Sequence, residues 1–367
     1  MKRVQVTLPD RSYDVRIGPG LLPSVGELVR AVAPHERAAL IADRNVADRY
    51  VPAVAGSLRS AGYELLSATL APGEEQKNLD TVRHLYHRLL DARLDRRSPL
   101  IALGGGVVGD TAGFVAATYL RGVPFIQCPT TLLAMVDASV GGKVGVNTSH
   151  GKNLIGAFYQ PSLVVADTET LETLPLRELQ CGLAECVKQA IVRDADLFDW
   201  LEAHLEGILA LDSETLVELV QRNVQIKSEV VTADEREAGL RAHLNFGHTF
   251  AHAIESTQSY DSRDGYRHGE AVALGMVAAT RLAVTRGLCP ETVLERLLTL
   301  SIRIGLPTSA QKLSSIDRLV DAMQMDKKLE SGQLRLVLPQ CIGEASIVSD
   351  TPQADLARCW ESLLPGR

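Results

Sequence analysis

Pro99-Leu100-Ile101-Ala102-Leu103 runs without a polar residue into Gly104-Gly105-Gly106. A short, wholly apolar run fits a strand buried on both faces, and glycines that stop it fit a tight turn into a helix. Arg37–Asp43, Glu64–Leu70, Pro124–Pro129 and Leu163–Asp167 read as further strands. Helical stretches at Leu21–Val32, Tyr50–Ala61 and Leu79–Ala92 separate the earlier ones. Val4–Leu8 and Tyr13–Ile17 add two short strands about a turn at Pro9-Asp10-Arg11. Strands alternating with helices predict a mainly parallel sheet covered on both faces, an α/β domain.

After about Pro175 the strand signal fades. Amphipathic helices are predicted at Leu179–Val192, Ala195–Ala210, Glu214–Val231, Phe250–Thr257, Glu270–Thr285 and Pro290–Ile304, with a late hairpin at Leu334–Pro339 and Ala345–Val348. A chain of 367 residues suits two domains. The expected division is an α/β nucleotide-binding domain at 1–174 and a mostly helical domain at 175–367.

Apolar residues make up 46% of the chain, enough for a substantial core, and the net charge of -7 argues against a nucleic-acid binder. The six cysteines are scattered and form no CxxC, a pattern of reduced thiols rather than a disulfide framework. No apolar run approaches the roughly 20 residues that span a membrane, and the first residues carry no apolar signal core. Both observations point to the cytoplasm.

Gly104, Gly106 and Gly109 satisfy GxGxxG at the start of a predicted helix, where backbone N–H groups and the helix dipole favour a pyrophosphate. The acid that ordinarily lies about 20 residues downstream is missing, and Asp43, at the end of an earlier strand, is the candidate ribose partner. This order predicts a variant doubly wound sheet. Pro72-Gly73-Glu74-Glu75-Gln76-Lys77 is a charged turn that could close over a nucleotide. Thr130 and Thr131 follow a strand, where open α/β sheets bind ligands. Val136–Asn147 and Gly151–Gly156 are rich in glycine, carry Lys143 and Lys152, and read as a long functional loop for anion contacts.

His248 and His252 are four apart and share a helix face; Glu185 and Lys188 are three apart and share another. One glutamate and two histidines with an open position suit a catalytic zinc site. His268 lies close in sequence, so spacing leaves open which two histidines bind metal, and Glu270 is a competing carboxylate. His35, His84, His87, His150, His204 and His243 read as surface or packing residues. Asp234-Glu235-Arg236-Glu237, Lys227, Arg241 and Met325-Asp326-Lys327-Lys328 read, one charge at a time, as solvated faces.

Together these motifs resemble the 3-dehydroquinate synthases of the sugar-phosphate cyclase superfamily. The resemblance covers almost the whole chain: PGEEQKN at Pro72–Asn78, GGGVVGD at Gly104–Asp110, AATYLRG at Ala116–Gly122, PTTLLAMVDASVGGKVGVN at Pro129–Asn147, GKNLIGAFYQP at Gly151–Pro161, TLPLRE at Thr173–Glu178, GLAECVK at Gly182–Lys188, LNFGHTFAHAIE at Leu244–Glu255, HGEAV at His268–Val272 and DKK at Asp326–Lys328. It implies a homodimer of two-domain subunits with the active site in the interdomain cleft, using NAD and a divalent metal, Zn2+ or Co2+. It implies Glu185, His248 and His268 as metal ligands, and Glu185, Lys188, His252, Asp137 and Asn245 as catalytic groups. NAD contacts fall on Asp43, Glu74, Lys77, Gly104, Gly105, Gly106, Asp110, Thr130, Thr131 and Thr173, with Lys143 and Lys152 shared with the substrate. The other implied substrate contacts are Asp137, Asn153, Lys188, Lys227, Arg241, Asn245 and Lys327 or Lys328, with Arg121 reaching the neighbouring subunit's substrate phosphate.

The implied reaction converts 3-deoxy-D-arabino-heptulosonate 7-phosphate to 3-dehydroquinate and phosphate. A hydroxyl is oxidised by NAD, phosphate leaves by β-elimination, the hydride returns, and ring opening and an intramolecular aldol closure follow. A dianionic phosphate and a carboxylate account for the lysines and Arg241 in an acidic chain. Two positions depart from the family pattern: Ala251, where glycine is usual, and a longer polar link at Ser259–Gly265. Competing readings are a sister cyclase whose substrate lacks the carboxylate, a metal-dependent polyol or glycerol-phosphate dehydrogenase, and a catalytically dead nucleotide sensor. The sensor would lack the acid–base residues that are all present here.

Overall fold

Each strand expected in the first half joins one sheet. The structure is a computed structural model that describes residues 1–9, 11–237, 239–258, 265–329 and 334–365. The sheet strands are β1 (Lys2–Val6), β2 (Tyr13–Gly18), β3 (Arg37–Asp43), β4 (Glu64–Leu70), β5 (Leu100–Gly104), β6 (Phe125–Pro129) and, after a separate hairpin of β7 (Lys143–Thr148) and β8 (Gly151–Phe158), β9 (Leu163–Asp167). Helices α1 (Val25–Val32), α2 (Arg44–Ser60), α3 (Leu79–Asp91) and α4 (Gly106–Thr118) lie between them. The order is β1-β2-β9-β6-β5-β3-β4, antiparallel only at β1–β2.

The continuous apolar runs have a simple cause. Ala38, Leu40, Ile101 and Leu103 face a core built with Val25, Val29, Val54 and Leu58 of α1 and α2. Their neighbours Ala39, Ile41, Leu100 and Ala102 face the opposite core, with Val82, Leu85, Val108 and Val115 of α3 and α4. Successive side chains serve opposite cores, so no position can be polar. The chain leaves β3 toward β4 on one side, then returns to β5 on the other and continues to β6 and β9. The reversal between β3 and β5 is the place where open α/β sheets hold ligands.

Two local expectations change. Helix α2 starts at Arg44 rather than Tyr50, because Asp43 caps it by accepting from Asn45 N at 2.7 Å and Pro52 is accommodated inside. The supposed long loop at 136–156 is a π-helical turn, Ala134–Ala138, followed by the β7–β8 hairpin. Gly145 and Gly156 pair directly there, and a Cβ on Gly156 would lie 2.4 Å from Val144 O. These two glycines serve strand packing, not anion binding.

The remaining elements are α5 (Leu176–Arg193), α6 (Ala195–Leu209), α7 (Ser213–Ala233), α8 (His248–Thr257), α9 (His268–Thr285), α10 (Glu291–Ile304), α11 (Ile316–Leu329), β10 (Leu336–Cys341), β11 (Glu344–Val348) and α12 (Gln353–Ser362). Neither α11 nor α12 is foreseen from the sequence. The chain divides into two compact units, Met1–Leu179 with Leu211–Arg236, and Gln180–Ala210 with Glu237–Arg367. Where the sequence suggests consecutive stretches at 1–174 and 175–367, Leu211–Arg236 therefore groups with the first unit. Within that unit α7 reaches β1, where Ser228 Oγ donates to Gln5 O at 3.0 Å.

In the second unit α9 is buried along most of its length. Trp360 of α12 is fully buried and meets Phe250 of α8 edge-on, with ring centroids 5.2 Å apart. Arg296 of α10 pairs with Asp199 and Glu202 of α6 and lies over the Phe198 ring. The longer link expected at 259–265, Gly265 excepted, and the side chains of Lys327 and Lys328 lie outside the described residues. Among the described residues no helix is long and apolar enough to cross a membrane.

Candidate metal centre and nucleotide cradle

Three helices of the second unit bring a carboxylate and two imidazoles together. Glu185 sits in α5, while His248 and His268 are the first residues of α8 and α9. Two glycine contacts set the helix spacing. A Cβ on Gly269 would lie 2.4 Å from Cys181 Cα, and one on Gly275 would lie 2.0 Å from Gly247 O. Gly247 itself turns the chain into α8 with φ 78°. So α9 meets α5 and the start of α8 backbone to backbone, next to the histidines.

One donor atom from each of Glu185, His248 and His268 lies within 4.8 Å of the others. Glu185 Oε1 is 3.7 Å from His248 Nε2 and 3.3 Å from His268 Nε2. A tetrahedral ion with bonds near ~2.1 Å spaces its ligand atoms about 3.4 Å apart, so the set fits a divalent metal. The other ring nitrogens are engaged elsewhere: His248 Nδ1 lies 3.2 Å from Phe246 O and His268 Nδ1 lies 3.3 Å from Glu255 Oε1. Glu185 is fully buried and forms an ion pair with Lys188, also buried.

Burial, aided by the nearby Lys188 ammonium, pushes His248 down to about 3. Burial also opposes a charge on His268, but hydrogen bonds to Glu185 and Glu255 outweigh it and lift that ring to about 10. His252 is one turn further along α8, exposed, with its ring edge-on to His248 at 5.7 Å. It lies outside the donor set. Glu270 does not compete, because its Oε2 accepts from Arg267 N at 2.8 Å and caps α9.

The first unit holds the nucleotide candidates at the ends of β3, β5 and β6. Gly104 has φ 153°, and a Cβ there would press on Asp43 Cβ at 3.1 Å. A Cβ on Gly105 would meet Thr131 Cγ2 at 3.2 Å, and Thr130 N donates to Gly104 O at 3.0 Å. Asp43, Gly104, Gly105, Gly106, Thr130 and Thr131 are thus neighbours at the switch point and at the N-terminus of α4, which fits a dinucleotide pyrophosphate.

The charged turn after β4 is tied to the hairpin. Lys77 Nζ donates to Asp110 Oδ2 at 2.6 Å and Asn153 Oδ1 at 2.5 Å, and Asn147 Nδ2 donates to Glu74 Oε1 at 2.8 Å. Burial raises the Asp110 carboxyl, against the pull of Lys77. Lys227 donates to Asp137 Oδ1 at 2.5 Å. Thr173 meets the Tyr50 hydroxyl at 2.6 Å. Lys143 is exposed and Lys152 half-buried on the hairpin.

The family profile described as 3-dehydroquinate synthase N-terminal matches residues 67–181, and that described as 3-dehydroquinate synthase C-terminal matches residues 182–329. The chain belongs to the 3-dehydroquinate synthase family. A 3-dehydroquinate synthase of Desulforamulus reducens is 47% identical over 356 residues, 97% of this chain and 98% of that one. Among solved structures, 2-epi-5-epi-valiolone synthase from Streptomyces hygroscopicus, with NAD+ and Zn2+ bound, superposes with a TM-score of 0.89 at 32% identity over 97% of this chain and 98% of its own. A 2-deoxy-scyllo-inosose synthase complexed with carbaglucose-6-phosphate, NAD+ and Co2+ gives a TM-score of 0.90 at 27% identity over 99% of this chain and 100% of its own.

Within this family member, two further residues stand out that the sequence alone does not single out. Glu237 accepts from Asn245 Nδ2 at 2.9 Å beside buried Arg241. Glu255 is a buried carboxylate against His268. Only its helical spacing from His248, seven residues, could have flagged it. Arg121 is exposed in a turn where Leu120, Arg121 and Gly122 all take positive φ, at 49°, 68° and 118°. Two non-glycine residues in that region cost roughly 1–2 kcal/mol each, a strain typical of functional turns.

Proposed function

We propose that this enzyme converts 3-deoxy-D-arabino-heptulosonate 7-phosphate to 3-dehydroquinate and phosphate. The convergence of Glu185, His248 and His268 beside buried Lys188 carries this reading. When bound, NAD takes and returns a hydride and the divalent metal polarises substrate hydroxyls. Glu185, His248 and His268 would hold the ion, and the cradle of Asp43, Gly104–Gly106, Thr130 and Thr131 would hold the dinucleotide. Lys188 stands one turn from Glu185 and His252 one turn from His248, so both lie beside the triad that would hold the ion. His252, exposed on that face, carries protons. Arg241, buried in an acidic chain, is the candidate partner of the substrate carboxylate, with Asn245 on the same turn. Asp137 and Lys227 act together, as their contact suggests.

Phosphate release from the heptulosonate phosphate with catalytic amounts of NAD tests the reaction. Release is expected with metal, lost on chelation and restored by Zn2+ or Co2+. No release with metal restored sinks the proposal. A sister cyclase is the second reading, favoured by the TM-scores of the valiolone and inosose synthases. Turnover of a sugar phosphate lacking the carboxylate, in preference to the heptulosonate, would establish it.

The working form is a homodimer in which Arg121 of each subunit reaches the other's phosphate site. Leu154, Ile155 and Phe158 of β8 are exposed apolar side chains, and the strained turn presents Arg121 outward. Light scattering on the eluted protein is expected to give twice the 39.7 kDa chain mass; a monomer at working concentration rules this out. None of the six cysteines forms a disulfide, which supports a cytoplasmic location.

A further inference from the structure

A buried carboxylate in a helix is costly unless something answers its charge. Glu255, in α8, is 7% exposed, and its Oε1 lies 3.3 Å from His268 Nδ1. His268 Nε2 lies 3.3 Å from Glu185 Oε1 on the far side of the same ring. The imidazole therefore spans two carboxylates, one in the donor set and one behind it. His248 is oriented differently, by the backbone carbonyl of Phe246 at 3.2 Å from its Nδ1. The side chain of His268 is 36% exposed, against 12% for His248 and none for Glu185. It is the member of the triad with least packing to fix its ring.

We propose that Glu255 is the positioning residue of the metal centre: it holds His268 with the proton on Nδ1 and the Nε2 lone pair turned toward Glu185 and His248. The inference rests on the reading of the triad as a metal site. A carboxylate behind a ligating histidine fixes tautomer and ring orientation and makes the nitrogen a better donor, and its loss typically weakens metal binding about 10–100-fold. Glu255 touches neither substrate nor cofactor in this role. It acts through His268.

The test compares the full-length wild type with Glu255→Gln and Glu255→Ala after chelator stripping. Each is titrated with Co2+ against a competing chelator while the visible d–d band is followed, and melting is recorded without metal. Glu255→Ala is expected to bind Co2+ about 10–100-fold more weakly with an altered band. Glu255→Gln, which keeps an acceptor oxygen but not the charge, should fall between it and wild type. Metal-free melting of Glu255→Gln should stay near wild type. Wild-type affinity and band in both variants overturn the proposal. A lowered metal-free melting point with an unchanged band also overturns it, since that marks a packing role. If the wild type binds no Co2+, or His268→Ala binds it as tightly, the metal reading itself fails and this inference with it. Should Glu255→Ala not fold, the near-isosteric glutamine variant carries the comparison.

Discussion

Glu185→Gln and His268→Ala are expected to lose metal and phosphate-releasing activity together, whereas His252→Ala keeps the metal and loses activity. The asymmetry follows from position. Glu185 Oε1 lies within 3.7 Å of both facing ring nitrogens, and the carboxylate is wholly buried. His252 points from the next turn of α8, exposed and outside the donor set. Metal content after dialysis, read beside turnover, separates the two classes. Glu185→Gln carries a second cost, because it takes away the carboxylate that faces the buried Lys188 ammonium. Breaking such a pair typically destabilises by about 3–5 kcal/mol, so a lower melting temperature should accompany metal loss. Metal retained by Glu185→Gln, or lost from His252→Ala, would show that the ligands are misassigned.

Gly275→Ala is expected to damage the same centre without touching a ligand. The new methyl would sit 2.0 Å from Gly247 O and 2.9 Å from Gly247 C. Both atoms are backbone, so no rotamer relieves the clash, and the residue that follows is His248. Overpacking of this kind costs about 1–3 kcal/mol. The larger effect is geometric, since a metal site tolerates only about 0.5 Å of displacement. Co2+ affinity should therefore fall further than stability does. Gly56→Ala in α2 is the matched control, because a Cβ there meets nothing within 4 Å. Relief of helix-interior glycine should raise stability by about 0.5–1 kcal/mol with the metal site unchanged. Equal Co2+ binding by Gly275→Ala and wild type would refute the helix-spacing argument.

The sequence was informative where the controlling physics is local. Strands β3 and β9 match their predicted bounds because two-faced burial writes a near-continuous apolar run. The strand–glycine–helix turn at Gly104 was legible for the same reason. Family membership, implied by ordered motifs, is shown by matches spanning residues 67–329. What escaped depends on partners distant in the chain. The hairpin of β7 and β8 looked like a ligand loop because Gly145 and Gly156 need each other to explain them. Spacing leaves Glu270 and Glu185 as rival carboxylates, because the cap that Glu270 forms on its own helix is not written in the spacing. Glu255 gains meaning only from a histidine thirteen residues away, on the next helix. α12, polar on average, is anchored through Trp360 against Phe250, a contact no local pattern announces.

The return of α7 to the first unit bears on how the protein is made. A ribosome delivers β1 through β9 first, then α5 and α6, and only afterwards the helix that meets β1 through Ser228 and brings Lys227 to Asp137. The first unit thus stays open on one side until Arg236 has been synthesised, with residues 180–210 of the other unit already made. A fragment ending at residue 174 would lack that wall. The two units are products of one interlaced chain rather than modules that could be exchanged by a single cut.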